Sequence, residues 1–341
     1  MFENRELKKL GIEVIEKVKD IDVVDIANQV SSKLIITFPK SNLDFMNIYT
    51  ILISTNMYYA NIKENMSKAN FYYKNSNIYF SKEIDIENID EYLFHECIHK
   101  IQEHKNKKNK LTRMGICEIN ELSIKAMALN EAAIQYITTK CLENNEKIIN
   151  IYDISFVTKS NYYPILTSLI SQIALLIGDN ILVDSTINSN EDFKIEMIDE
   201  FGEKNYVLIE RNFEEILNSK NEILNNGENV EILSQKIKQM YLKTMNVIYT
   251  SYFDNLLCRI NTEIEAEFAI QKLIYYNEFI KENSGYEDFL IYFDKMKLKF
   301  ENKKNEIKNS VALVVIKQNK ILNIFKRLKK LFINPNNEYN K

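Results

Sequence analysis

Apolar and polar positions alternate at a helical period over most of the chain, and helix is the element they predict most often. Long helical patterns run over 230–281 and from Tyr286 onward, and another covers 119–140, rich in Ala, Leu, Met and Ile. The opening stretch, to about Asn56, reads as helix followed by a strand at 33–38. Two aromatic runs, Phe71-Tyr72-Tyr73 and Ile78-Tyr79-Phe80, flank the polar segment 74–77 and predict a β-hairpin. Residues 85–88 then offer N-cap chemistry for a helix carrying Phe94, Ile98 and Ile101 on one side, with Leu93 and Cys97 beside them, as far as about Glu103. The lysine-rich segment 105–110 reads as an exposed loop. A mixed segment at 181–209 predicts short strands.

One uncharged run, 160–178, is close to the length that spans a bilayer. Ser168, Ser171 and Gln172, three and four apart, would form a polar stripe on it. Pro164 suits a first helical turn and Gly178 an end. These features predict a buried core helix rather than a membrane span. With six Gly and three Pro in 341 residues, turn residues are too scarce for an all-β protein. The expectation is an α+β fold, predominantly α: a small mixed or antiparallel sheet, an active-site helix, then a helical C-terminal half. No fixed-period repeat occurs. A soft boundary near 144–153 divides a first region, 1–150, from a mainly helical one, 151–310, with a tail at 311–341.

The formal net charge of −4 is too mild to imply a nucleic-acid partner. Four widely spaced cysteines without a CxxC pair fit a reducing compartment. The start of the chain lacks the basic and apolar pattern of a secretory signal, so the expected location is cytoplasmic. In the tail, Ile321, Ile324, Phe325, Leu328, Leu331 and Phe332 face Lys326, Arg327, Lys329 and Lys330 across a helix. Residues 321–332 therefore suit an anionic membrane surface or a partner, or docking on their own domain. Residues 334–341 read as disordered. Oligomeric state cannot be read from the pattern.

Chemistry concentrates in His95-Glu96-Cys97-Ile98-His99. On a helix, positions i and i+4 share a face, so both imidazoles can point at one ion, and neutral imidazole is a good zinc ligand. Glu96 leans over the rim, placed to accept a proton from a water activated by the metal. With three histidines in the chain, the chance of this spacing arising by accident is roughly a few in a thousand. Cys97 points to another face and reads as a small buried hydrophobe.

A hydrolytic zinc site usually takes three protein ligands. His104, nine residues past His95, would lie half a turn away and reads as a solvated helix-end residue. Glu131 is the better third ligand. It sits in the apolar string Ala128-Leu129-Asn130-Glu131-Ala132-Ala133-Ile134, where a carboxylate is costly to bury unless it is paired or binds a cation. Glu118 and Glu121, nearer the helix start, are its rivals.

HECIH with Glu131 32 residues after His99, in the string NEAAIQ, resembles the gluzincin division of the zincin metallopeptidases, over about residues 77–140. The resemblance implies His95, His99 and Glu131 as ligands of Zn2+, Glu96 as general base, and the aromatic strand as an edge that pairs with an extended peptide or protein substrate. Such enzymes often place an acid four residues after the ligand Glu, to orient a ligand His. Here that position is Gln135, a weaker acceptor, and another acid such as Asp153 is a substitute. A Tyr or Arg from the second half would supply the oxyanion donor. Two other readings stand beside the metallopeptidase: a zinc-binding zincin fold without turnover that acts as a binding module, and a helical structural protein in which HECIH is accidental.

Overall fold

The computed structural model describes residues 2–64, 66–120, 123–227 and 229–333, with the backbone alone for 2–4, 226, 311–320 and 324–333. Helix α1 (Phe2–Lys9) leads into β1 (Ile12–Lys17), α2 (Asp20–Thr37), α3 (Phe45–Ile53), β2 (Met57–Ile62), β3 (Ala69–Tyr72) and β4 (Asn77–Phe80). Helix α4 (Glu91–Ile101) follows, then β5 (Glu103–Lys105), β6 (Leu111–Met114), β7 (Cys117–Ile119), β8 (Ile124–Lys125) and helix α5 (Met127–Cys141). A hairpin of β9 (Lys147–Ile151) and β10 (Ile154–Thr158) precedes the helical remainder. That remainder comprises α6 (Pro164–Ile177), α7 (Asp179–Asn188), α8 (Asp192–Phe201), α9 (Glu203–Asn226), α10 (Val230–Arg259), α11 (Glu263–Ile280) and α12 (Tyr286–Ile333). The fold is α+β and predominantly α, with small sheets and a helical C-terminal half.

The first sheet has the order β1-β2-β4-β3, mixed because β2 and β4 run parallel. Strands β3 and β4 form the expected hairpin, with Phe71 opposite Ile78, and β3 is left at the edge beside α4. The second sheet is an antiparallel meander, β5-β6-β7-β8, that carries the chain from the end of α4 to the start of α5. The main apolar core runs from Val18 to Phe300 and takes in Leu93, Phe94, Ile98, Leu129, Ile134, Leu169 and Tyr241, and a smaller cluster of Leu7, Ile12, Ala60, Tyr72 and Tyr79 lies between α1 and the first sheet.

Several elements differ from expectation. Residues 33–38 are the last turns of α2 and its C-cap, because Val30 and Leu34 continue the buried face begun by Val23, Ile26 and Ala27. The N-cap of α4 is Asp90, which accepts from Leu93 N at 2.9 Å, whereas Asp85 accepts from Glu87 N and Asn88 N in a separate turn. Helix α5 begins at Met127, since β7 and β8 occupy the first part of 119–140. Residues 181–209 are helical, broken by the left-handed Ser189 and by Gly202.

Helix α6 lies where the uncharged run predicted a core helix, with Pro164 in its first turn and Gly178 at its end. Its polar stripe is met by tyrosines: Tyr276 OH donates to Gln172 Oε1 at 2.8 Å, and Ser168 Oγ lies 3.3 Å from Tyr241 OH. Among the described residues no single helix is long and apolar enough to cross a membrane. Helix α12 continues through 321–332, where Ile321 and Leu322 are exposed; the side chains of 324–332, and residues 334–341, lie outside the described residues.

Candidate metal centre

Two helices build the site. Helix α4 is buried on all sides and packs against α5, in which Ala128, Ala132 and Ala133 are buried. Helix α5 has no side-chain cap of its own. Instead Glu210 and Glu214 of α9 accept from the backbone N–H groups of Ala126 and Ala128, at 3.1 and 2.8 Å. These carboxylates satisfy donors that every helix start leaves open, and they tie α5 to α9. At the other end of α4, Asn130 donates to Gln102 Oε1 at 2.9 Å and accepts from Ile116 N at 3.1 Å, which fixes the turn of α5 that carries Glu131.

The packing brings three metal-binding side chains together. His95 Nε2 lies 3.1 Å from His99 Nε2 and 3.1 Å from Glu131 Oε2, and His99 Nε2 lies 3.4 Å from Glu131 Oε1. A tetrahedral zinc with ligands at its usual bond lengths needs donor atoms about 3.3 Å apart. His95, His99 and Glu131 are all buried, and together they can hold a metal ion. The tautomer also fits. His95 Nδ1 faces Gln135 Oε1 at 2.9 Å; an amide oxygen only accepts, so Nδ1 carries the proton and Nε2 offers its lone pair to the site. His99 Nδ1 is buried without a hydrogen-bond partner among the described residues.

Electrostatics follow from this enclosure. Burial works against charge on both His99 and Glu131, but their mutual attraction wins: the His99 imidazole is raised to about 9, and Glu131 is held well below the usual carboxylate range by His99 and His95. Burial pushes the Glu96 carboxyl up, opposed by His99, His95 and the Phe71 N–H. Glu96 Oε2 accepts from that N–H at 2.7 Å, and the Phe71 ring stacks on His99 with centroids 6.4 Å apart and planes at 11°.

The remaining candidates lie elsewhere. Glu118 pairs with Lys194 at 2.7 Å, His104 is exposed on β5, and Glu121 lies outside the described residues. Asp153 is exposed in the β9–β10 turn. Cys97 is buried with its thiol pushed up by burial, as a small core residue would be.

Sequence reasoning missed four residues. Tyr162 and Tyr163 lie over His95, their ring centroids 5.3 and 6.1 Å from the imidazole, and Tyr162 OH donates to Tyr163 OH at 3.1 Å. Burial, with the charges of Glu96 and Glu131, raises both phenols. Lys220 of α9 rests over the Tyr163 ring, with Nζ 4.3 Å from the centroid, and burial lowers it to about 8. The fourth is Glu91, in the first turn of α4, whose Oε1 accepts from Gln135 Nε2. It lies one turn before His95, so the spacing that pairs the two histidines also placed Glu91 on their face.

Comparisons with family models, curated proteins and solved structures give no match for this chain.

Proposed function

We propose that the chain is a zinc-dependent metallopeptidase of the HExxH kind with a zincin arrangement, in which His95, His99 and Glu131 hold the metal and Glu96 is the general base. One observation carries the reading: three buried side chains converge, with His95 Nε2 3.1 Å from both His99 Nε2 and Glu131 Oε2 and His99 Nε2 3.4 Å from Glu131 Oε1, spacings that suit one zinc, and with Glu96 next to the first of them. The order of edge strand, HExxH helix and ligand-Glu helix supports it.

Zinc, when bound, supplies Lewis acidity that acidifies water and polarises a carbonyl. Glu96, raised by burial, suits the removal of a proton from the attacking water and its delivery to the leaving amine. Strand β3 is the edge strand of its sheet beside α4, the position at which an extended peptide can add as a further strand. Tyr162 and Tyr163, whose rings lie against His95 and whose hydroxyls are bonded to each other, with Lys220 over the Tyr163 ring, are the donors on hand for a developing oxyanion.

A second reading, a zinc-binding protein without turnover, is favoured by the enclosure: Glu96 is 7% exposed and its carboxylate already accepts the Phe71 N–H. Glu96→Gln separates the two. The peptidase reading expects full zinc content with hydrolysis of an unstructured peptide mixture reduced at least about a hundredfold. A parent that binds zinc and cleaves nothing, or a variant as active as the parent, contradicts it.

A further inference from the structure

Glu91 occupies a position where an acid ordinarily faces solvent and complements the helix dipole. Here it is buried and accepts bonds from several directions. Besides Gln135 Nε2, Asn161 N donates to its Oε1 at 2.9 Å and Tyr162 N at 3.1 Å, with Ser160 Oγ at 3.4 Å. Its Oε2 accepts from Asn161 Nδ2 at 2.7 Å and Asn144 Nδ2 at 3.3 Å. Burying a carboxylate is costly unless donors compensate it, and five N–H donors converge here. Satisfying one helix end does not require such an arrangement.

The consequence runs through Gln135. A primary amide has one donating end and one accepting end. Because Glu91 accepts, it draws the Gln135 NH2 towards itself, which turns the Gln135 oxygen to His95 Nδ1. That oxygen in turn keeps the proton on Nδ1 and leaves Nε2 free for the metal site. The same carboxylate holds the backbone N–H groups of Asn161 and Tyr162, which places Tyr162 and Tyr163 against the His95 ring.

We infer that Glu91 is the positioning acid of the metal centre: acting through Gln135 it sets the tautomer and orientation of His95, and through the backbone of Asn161 and Tyr162 it seats the two tyrosines over the site. The inference rests on the metal site of the proposed function. It also accounts for an amide at position 135, since the acid that orients the ligand lies one residue further out.

The test is zinc affinity of the full chain, measured by competition with a chromophoric chelator, for the parent, Glu91→Gln, Gln135→Glu and the double variant. Amide hydrogen exchange at residues 160–163 is followed in parallel. Either single change should weaken zinc binding 10–100-fold. Glu91→Gln removes the acid, and Gln135→Glu sets two carboxylates against each other. The double variant exchanges amide and acid, restores one donor–acceptor chain, and should bind at least tenfold tighter than the weaker single variant. Exchange at residues 161 and 162 should accelerate in Glu91→Gln. Should Glu91→Gln fail to fold, Gln135→Glu alone decides, because a direct acid on His95 would tighten zinc binding if Glu91 were not opposed to it. Unchanged affinity in Glu91→Gln, tighter binding in Gln135→Glu, or a double variant no better than either single one overturns the inference while the parent still binds zinc. A parent that takes up no zinc overturns the metal reading itself, and this inference with it.

Discussion

Phe71 donates its backbone N–H to Glu96 Oε2 at 2.7 Å, so the edge strand and the proposed base are held as one unit. The Phe71 ring also stacks on His99. Backbone and side chain of one residue thus contact both the group proposed to move protons and a group proposed to bind the metal.

Phe71→Ala keeps the N–H and removes the ring. Zinc affinity is expected to fall several-fold as His99 gains rotational freedom, with a loss of about 1–2 kcal/mol in stability for a partly buried aromatic. Chelator competition and thermal unfolding measure the two effects. Unaltered zinc affinity would mean that the stack does not orient His99.

Gly115 joins β6 to β7 at φ +60°, and a Cβ there would lie 2.2 Å from Asn130 Oδ1 and 2.5 Å from Gln102 Nε2. Gly115→Ala therefore meets backbone strain and displaces the Asn130–Gln102 bond beside Glu131. A loss of roughly 2–4 kcal/mol is expected, read as a fall in Tm of several degrees, together with weaker zinc binding. A variant as stable as the parent would contradict the close packing of this turn.

Lys220 provides a pH signature. Its folded pKa of about 8 is below its ordinary 10.5, so between those values the unfolded chain binds more protons and stability rises with pH. Below about 8 the cost of the half-buried charge is fully present. Lys220→Met should therefore be more stable than the parent at pH 7, with the difference shrinking as pH rises through 8 towards 10.5. Denaturant unfolding at several pH values measures it, and a difference independent of pH would contradict the assignment.

Much of the site was legible because its spacing is local. His95 and His99 lie one turn apart, and a carboxylate among alanines marks Glu131 as buried and in need of a partner. The β3–β4 hairpin was legible from its aromatic runs around a polar turn. The 33–38 segment was not, because Ile35, Ile36 and Thr37 have strand-like side chains, while Val30 and Leu34 carry the buried face of α2 through them. Strands β7 and β8 were absorbed into a helical pattern because each is only two or three residues long. Glu91 was not singled out, because its role depends on residues 144 and 160–162, whose approach is a tertiary event. Tyr162 and Tyr163, at the start of α6, meet His95 of α4 for the same reason, and Lys220 of α9 reaches the two tyrosines.

The most direct test of the proposed function is metal content per chain of the purified protein after exposure to zinc, measured beside His99→Ala and Glu131→Ala. About one zinc in the parent, lost or sharply weakened in both variants, is the expected result. No bound zinc in a folded parent, or a full complement in either variant, would contradict the centre built from His95, His99 and Glu131.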